Sequence, residues 1–353
     1  MPLRIVIVGG GPTGTAIAHN LASWKTADNE KPVEVFVYER YPAATIYTPS
    51  SNHSRAYVIA LNYRGQSALR RLQIVPENIT NAVVADAVVT HRPPKKKTTQ
   101  LTPPHVRPLE DKYRQVIAKR QDMTSYFEQL AEKSGATLHH EHELVDVDWK
   151  QKIATFRHRG LIHKVGYDLL IGADGTKSVV RTLLDQHCQT EQPRKGFSPS
   201  FRVEATECDR MEYQVAVIPQ PGSEILGSVW KNDTKQLKRK RPLIQDTDVH
   251  SWNSKKYNAM CLAFPIQQSV KTTNNTHNPL GLLFAVIFPG GMLEAFRQQA
   301  KQNGKVVQSD QSYEAALESL LHDVPKHVRS DIIDQLKGGD FANGGNCVRA
   351  LCQ

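Results

Sequence analysis

The chain has 353 residues, 39% hydrophobic and 23% charged, a globular composition that excludes a disordered or collagen-like polypeptide. Its net charge of +10, from 45 basic against 35 acidic residues, suits anionic partners such as a pyrophosphate or a carboxylate without identifying one. The five cysteines are odd in number with no C-x-x-C pair, which points to neither a disulfide framework nor a zinc site, and the longest apolar run, Leu280 to Phe288, falls far short of the ~20 residues of a spanning helix.

Met1-Pro2-Leu3-Arg4 leads directly into the apolar run Ile5-Val6-Ile7-Val8, leaving no room for a signal peptide, so a cytoplasmic, soluble chain is expected. Residues 3–8 read as a buried strand and residues 12–24 as a helix, with Ala16, Ile17, Leu21 and Trp24 at helical spacing. After the polar connection Lys25 to Pro32, Val33 to Tyr38 reads as a second strand ending in Glu39-Arg40, completing a βαβ unit. Its first turn carries Gly9, Gly11 and Gly14 in G-x-G-x-x-G spacing, with Pro12 and Thr13 inside the motif. The first glycine permits the tight turn, the second lets pyrophosphate approach the backbone, and the third allows close packing of helix on strand. The helix start adds N–H donors and a positive dipole end. Glu39 is placed to accept from ribose hydroxyls, and an acid there selects against a 2′-phosphate. This motif alone does not separate NAD from FAD.

Farther on, Arg55 to Leu61 reads as a strand, Arg64 to Arg70 as a helix, Ala82 to Thr90 as a strand and Pro93 to Pro108 as a proline- and lysine-rich loop. A helix over Asp122 to Lys133 carries Met123, Tyr126, Phe127 and Leu130 on one face and stops at Ser134-Gly135. Short strands follow at Ala136 to His140, Leu144 to Trp149, Ile153 to Arg157, Leu161 to Val165 and Leu169 to Ile171. His139, His140 and His142 split over two faces on a β-segment and read as surface residues, so no metal site is expected. From Phe201 to Phe288 the reading is mostly β, the pattern of a separate antiparallel sheet that covers a substrate. From Met292 onward it is helical, with Ala295, Phe296, Leu317, Leu320, Leu321, Ile332, Ile333 and Leu336 apolar. The basic runs Lys95-Lys96-Lys97 and Lys235 to Arg241 lack interleaved aromatics and read as solvated loops, so no nucleic-acid partner is expected.

The string Gly172-Ala173-Asp174-Gly175-Thr176-Lys177-Ser178-Val179-Val180-Arg181 closes a strand with an acid and a glycine before a helix. A carboxylate there, beside the first helix, can hold ribose or ribityl hydroxyls, and Gly175 permits close backbone approach. With both motifs in place the chain resembles the FAD-dependent aromatic hydroxylases, and within them the kynurenine hydroxylases. The stretches Ser54 to Gly65, Val116 to Met123, Ser251-Trp252 and Ala259 to Pro265 carry the closer likeness.

The resemblance implies an α/β fold: a Rossmann-like FAD-binding domain over residues 1–80 and 110–190, an inserted antiparallel β-sheet substrate domain over 81–109 and 191–290, and a helical segment over 291–353. It implies that Arg55 and Arg120 help hold FAD and that Ala60 and Leu144 line it, beside Gly9, Gly11, Pro12, Thr13, Gly14, Glu39, Arg40, Asp174 and Gly175. It further implies NADPH as co-substrate, O₂, and hydroxylation of a small aromatic substrate through a flavin C4a-hydroperoxide. No catalytic residue stands out. Two departures qualify this. Asp86 stands where the kynurenine hydroxylases carry an arginine for the substrate carboxylate, and an acid cannot pair with a carboxylate. The family's third motif, Gly-Asp-Ala-Ala-His after an apolar strand, is not found; Gly339-Asp340-Phe341-Ala342 only echoes it. A C-terminally truncated form is therefore expected, with an inactive flavin-binding pseudo-enzyme or a flavin-dependent dehydrogenase as alternatives. In the family's eukaryotic kynurenine hydroxylases a C-terminal segment reaches the mitochondrial outer membrane; a longer form of this chain would be expected there.

Overall fold

The computed structural model describes residues 2–24, 33–43, 58–93, 101–190, 211–227, 244–267, 280–289, 313–338 and 347–348. The chain divides into two compact units, one of Met1–Ala56, Gln66–Thr80 and Arg120–Ala205, the other of Tyr57–Gly65, Asn81–Lys119 and Thr206–Gln353.

The chain opens with β1 (Leu3–Val8), α1 (Pro12–Ala22) and β2 (Val33–Tyr38). Next come β3 (Val58–Leu61), α2 (Tyr63–Arg71), β4 (Val83–Ala85), β5 (Ala87–Arg92), β6 (Thr102–Pro108) and β7 (Gln115–Lys119). The first unit resumes with α3 (Arg120–Lys133), β8 (Thr137–His139), β9 (Glu143–Asp148), β10 (Ile153–His158), β11 (Leu161–Gly166), β12 (Leu169–Gly172) and α4 (Val179–Thr190). The remainder is β13 (Met211–Ile218), α5 (Gly222–Ile225), β14 (Val249–Ser254), β15 (Ala259–Gln267), β16 (Leu280–Pro289), α6 (Tyr313–Leu320), α7 (Lys326–Gly338) and β17 (Cys347–Val348).

In the first unit a four-stranded parallel sheet runs in the order β12-β1-β2-β8. A parallel sheet is covered on both faces, which is why β1 is apolar at successive positions rather than alternating. Ile5 and Ile7 enter one core with Ala18 of α1 and Ala131 of α3, while Val6 and Val8 enter another with Leu144, Val147, Phe156 and Val180. The second core lies under a three-stranded antiparallel sheet, β11-β10-β9, and under α4. Helix α3 ends at Gly135 with φ +100°, a left-handed C-terminal stop that glycine takes without steric cost.

The second unit is built on a seven-stranded sheet, β17-β13-β16-β15-β14-β5-β6, beside a three-stranded sheet, β3-β7-β4. All pairs in the larger sheet are antiparallel except β14 with β5. Its core holds Trp252, Phe284 and Phe288, against which α6 and α7 set Leu317, Leu320, Leu321, Ile332 and Leu336. The fold is thus α/β, with a dinucleotide-type βαβ unit and a separate, largely antiparallel sheet.

Several details differ from the sequence reading. Residues 102–108, expected as loop, form β6, which pairs antiparallel with β5 from Ala87↔Pro108 to Arg92↔Thr102. It is the edge strand, where prolines remove no donor the sheet needs, so Pro103, Pro104 and Pro108 are tolerated. Trp24, expected on the apolar face of the first helix, lies beyond α1 and is 68% exposed. Residues 110–119 fall in the second unit, because β7 pairs with β3 and β4 there. So does the described part of 291–353, because α6 and α7 bury their apolar faces in that unit's core. The expectations on Lys25 to Pro32, Lys95 to Lys97, Phe201 to Glu204, Lys235 to Arg241, Met292 to Phe296 and Gly339 to Asn346 lie outside the described residues. Among the described residues, no helix is long and apolar enough to cross a membrane.

Candidate functional site

The first glycine turn is built by backbone sterics. Gly9 leaves β1 with φ +105°, and its N–H donates to the Tyr38 carbonyl at 2.8 Å. A Cβ on Gly9 would stand 2.4 Å from the Ala173 carbonyl oxygen, and one on Gly14 would stand 1.9 Å from the Gly9 oxygen. Both glycines are therefore demanded by the fold itself. Gly11 differs: a Cβ there would meet only the Arg120 guanidinium, at 3.2 Å, so its bareness leaves room beside the turn. Pro12 opens α1, and no side chain caps that helix. Thr13 and Gly14 follow in its first turn, whose N–H groups have no acceptor within the helix and form its positive end. Thr15 returns its hydroxyl to the Gly11 carbonyl at 2.9 Å.

Glu39, at the end of β2, is bound into this turn. Its Oε2 accepts from the Gly10 N–H at 2.7 Å and its Oε1 from the Tyr41 N–H at 3.1 Å. The carboxylate thus ties the two ends of the βαβ unit together, a task the sequence reading did not assign to it. Arg40 is exposed, with its guanidinium 4.7 Å from the centre of the Tyr41 ring. Residues 139–142 are laced to this segment: Glu39 N–H donates to the His139 carbonyl at 2.9 Å and His142 N–H to the Glu39 carbonyl at 2.8 Å.

The second glycine motif lies alongside the first. Strand β12 pairs with β1 up to Val8↔Gly172, and the Ala173 N–H donates to the Val8 carbonyl at 2.7 Å. Gly175 turns the chain with φ +84°. Asp174, read from sequence as a hydroxyl acceptor, caps α4: Oδ1 accepts from the Ser178 hydroxyl at 2.6 Å, and Oδ2 from the N–H groups of Val179 at 2.6 Å and Val180 at 3.2 Å. Ser178 then accepts from the Arg181 N–H at 3.0 Å. The Ser-x-x-Arg pattern is thus a helix start in its own right.

The two motifs enclose a crevice of about 110 Å³. Gly9, Gly11, Glu39, Arg40, Arg120, Leu144, Asp174 and Gly175 line it, as do Tyr38, His142 and Lys177, which the sequence reading missed. Arg40, Arg120 and Lys177 set three cations against the carboxylates of Glu39, Glu143 and Asp174. The open face of Gly11, the uncapped start of α1 and these cations fit a pyrophosphate. Leu144 is buried at 6% exposure and gives the crevice an apolar wall. Arg55 lies outside the described residues. Ala60 belongs to the second unit, half-buried on β3 opposite Ile117 of β7.

The histidines are not the separate surface residues expected. His139 and His142 approach with ring centres 5.5 Å apart, and His139 stacks on Tyr38 at 4.6 Å. The chain bends after β8, so face alternation along a strand no longer applies to His140 and His142. Among the described residues no group of three or more His, Cys, Asp or Glu side chains is arranged to hold a metal.

In the second unit, Asp86 sits between β4 and β5. Its Oδ1 lies 3.2 Å from Arg114 Nε, and its Oδ2 accepts from the Thr247 hydroxyl at 3.3 Å. The same unit carries a buried polar chain whose members are far apart in sequence. Asp323 accepts from Trp252 Nε1 at 2.7 Å and lies 2.5 Å from His91 Nδ1, whose Nε2 is 3.0 Å from His250 Nδ1.

A family model described as FAD binding domain matches residues 3–279. Among curated proteins the chain is similar to the kynurenine 3-monooxygenase of Phaeosphaeria nodorum, 29% identical over 196 residues that make up 51% of this chain and 38% of that protein. It is similar also to that of Stenotrophomonas maltophilia, 28% identical over 185 residues, 51% of this chain and 37% of that protein. The matched region spans well under half the length of either relative. Among solved structures it resembles CmlS, a flavin-dependent halogenase, with TM-score 0.54 and 16% identity over 96% of this chain and 48% of that one. It also resembles P. aeruginosa PqsL, solved in complex with 2-aminobenzoylacetate, with TM-score 0.54 and 12% identity over 95% and 71%. Identities this low show a shared fold.

Proposed function

The chain belongs to the FAD-binding domain family of aromatic hydroxylases, and from that premise we propose that it holds FAD in the crevice of its first unit and serves an NAD(P)H- and O₂-dependent monooxygenase acting on a small aromatic substrate. The observation that carries this reading is the interlocking of the two glycine motifs, with Gly9 packed so close to Ala173 that a methyl group would not fit. In the proposed arrangement the pyrophosphate lies against Gly11 and the first turn of α1, at Pro12, Thr13 and Gly14, with Arg40 and Arg120 countering its charge. Glu39 and Asp174 offer their remaining lone pairs to sugar hydroxyls while continuing to hold the turn and α4. Leu144 and Gly175 complete the walls, and Arg55 acts toward the same group on the strength of the family resemblance.

FAD, when bound, supplies the redox and oxygen-transfer chemistry; the tasks of the chain are to bind, to orient and to keep water out. The second unit, with its large sheet, is the proposed substrate side. There Asp86, paired with Arg114 and Thr247, favours a substrate that presents no carboxylate to this position. The test is purified protein. Stoichiometric flavin together with NADPH oxidation stimulated by an aromatic substrate supports the proposal. Bound flavin without turnover reduces it to a flavin-binding chain, and colourless protein that takes up no added FAD sinks it.

A further inference from the structure

One wall of the crevice leads into a group of imidazoles that the proposed function does not use. His142 lines the crevice, and its Nδ1 lies 2.7 Å from the His140 carbonyl oxygen. A carbonyl only accepts, so Nδ1 carries the proton of the neutral ring and Nε2 is left to take up a second. His158 repeats the arrangement, with Nδ1 3.1 Å from the Glu141 carbonyl. The two rings stack with centres 4.2 Å and planes 12° apart, and His163 approaches His142 at 5.6 Å. Toward the sheet, His142 meets Tyr38 edge-on at 5.7 Å, and Tyr38 is stacked between His139 at 4.6 Å and Phe156 at 4.1 Å.

Imidazole is the side chain that ordinarily changes charge between pH 5 and 8. In a face-to-face pair of imidazoles, protons on both rings would set two cations in contact. The neighbours are held out of this exchange. Burial, then the charges of His142 and His140, push His139 below its ordinary range, and burial pushes His140 down against the pull of Glu39, Glu132 and Glu141. The remaining charges are paired or at a distance: Glu143 is 3.4 Å from Arg157, Glu141 is 3.0 Å from Arg159, and Glu128 is 4.0 Å from His140. Glu39, Arg40, Arg120, Asp174 and Lys177 line the same crevice.

We propose that the His142–His158 stack is a proton-linked positioning element for the anionic dinucleotide: a diphosphate entering the crevice draws one proton from solvent onto the stack, and charged His142 then holds the ligand. The inference rests on the reading of the crevice as the FAD site. The diphosphate is fully ionised throughout the relevant range, so the proton taken up belongs to the protein. A ligand whose binding takes up a proton binds more tightly as pH falls.

The test is a calorimetric titration of FAD into flavin-stripped protein at pH 6, 7 and 8, in two buffers of different ionisation enthalpy. The expected result is uptake of up to about one proton and affinity about tenfold tighter at pH 6 than at pH 8. His142→Phe loses both the uptake and the slope, and His158→Phe weakens both, whereas His187→Gln, outside the stack, keeps them. If His142→Phe fails to fold by circular dichroism, His142→Gln takes its place with the same expected loss. Wild-type binding that is flat in pH and takes up no proton overturns the inference while leaving the FAD site standing, as does a folded His142 variant that keeps the slope. FAD that binds at no pH removes the site reading itself, and the inference with it.

Discussion

Gly9 and Gly11 stand two residues apart in one turn, yet a methyl group has different consequences at each. At Gly9 it meets the Ala173 carbonyl at 2.4 Å in a backbone with φ +105°; at Gly11 it meets only the tip of the flexible Arg120 side chain, at 3.2 Å. Gly9→Ala is therefore expected to cost ~2–4 kcal/mol in urea unfolding, whereas Gly11→Ala unfolds near the wild-type midpoint and loses FAD affinity, because the methyl fills the space left for the ligand. Equal destabilisation by both would show that Gly11 is structural as well. Asp174 can be parsed in the same way. Removing its three capping contacts with Asp174→Ala is expected to cost about 1–2 kcal/mol, while Asp174→Asn keeps a carbonyl acceptor for the α4 N–H groups and loses less than half of that. A larger loss of flavin affinity than of stability in the Asn variant would mark direct contact with the ligand. The glycines were legible in the sequence because the sterics that select them act over a few residues. The work of Glu39 was not, because its Gly10 partner is brought to it only when β1 and β2 pair.

Elements whose pattern matched their burial were legible too, β1 and β2 among them, and those set by position in a sheet were not. Strand β6 was hidden by its prolines, which an edge position excuses. Helices α6 and α7 were visible as apolar periodicity, but the polar clasp at the turn between them was not, since Asp323 meets Trp252 across 71 residues and His91 across 232. Asp323 and His91 have side chains 1% and 0% exposed, so removing one partner breaks a fully buried polar pair. Asp323→Asn is expected to cost ~3–5 kcal/mol, read by urea unfolding. The clasp also sets a pH dependence. Burial pushes the Asp323 carboxyl up, but hydrogen bonds from His91 and Trp252 and the charge of His91 outweigh it and hold it below its ordinary value; its contribution is present above the unfolded carboxylate range and lost as pH falls through the folded value. Burial, then the charge of His91, holds His250 well below its ordinary value. Below about pH 6.5 the unfolded imidazole binds a proton that the folded one refuses, and stability again falls. Both slopes have one sign but different windows, so the urea midpoint should fall below about pH 6.5 through His250 and fall further below about pH 4 through Asp323, and His250→Leu should flatten the upper part. A wild-type midpoint constant between pH 6.5 and 5 would contradict this account of His250.

At the scale of the whole molecule, the first unit is assembled from three separated stretches of chain, Met1–Ala56, Gln66–Thr80 and Arg120–Ala205. The crevice draws its walls from two of them, since Gly9, Gly11 and Glu39 come from the first and Arg120, Leu144 and Asp174 from the third. A ligand seated there therefore stabilises the joining of distant segments, not one loop. Binding to the native state alone adds about 2.7 kcal/mol at a ligand concentration of 100 times the dissociation constant, equivalent to a ~100-fold fall in the open population. Where amide exchange in this unit proceeds through its cooperative opening, that fall should appear together in α1, α3 and β12, although only the N-terminal ends of the helices border the crevice. The measurement is hydrogen exchange by mass spectrometry with and without saturating FAD, with ADP as a smaller probe of the same turn. ADP should slow the same peptides to a lesser degree, because it carries the diphosphate but only part of the remaining contact surface. Slowing confined to Gly9–Gly14 would mean that the ligand orders the turn without stabilising the unit, and unchanged exchange would mean that it does not bind there. Slowing of α3 equal to that of α1 would show that the first and third stretches open as one cooperative unit, whichever of their residues the ligand touches.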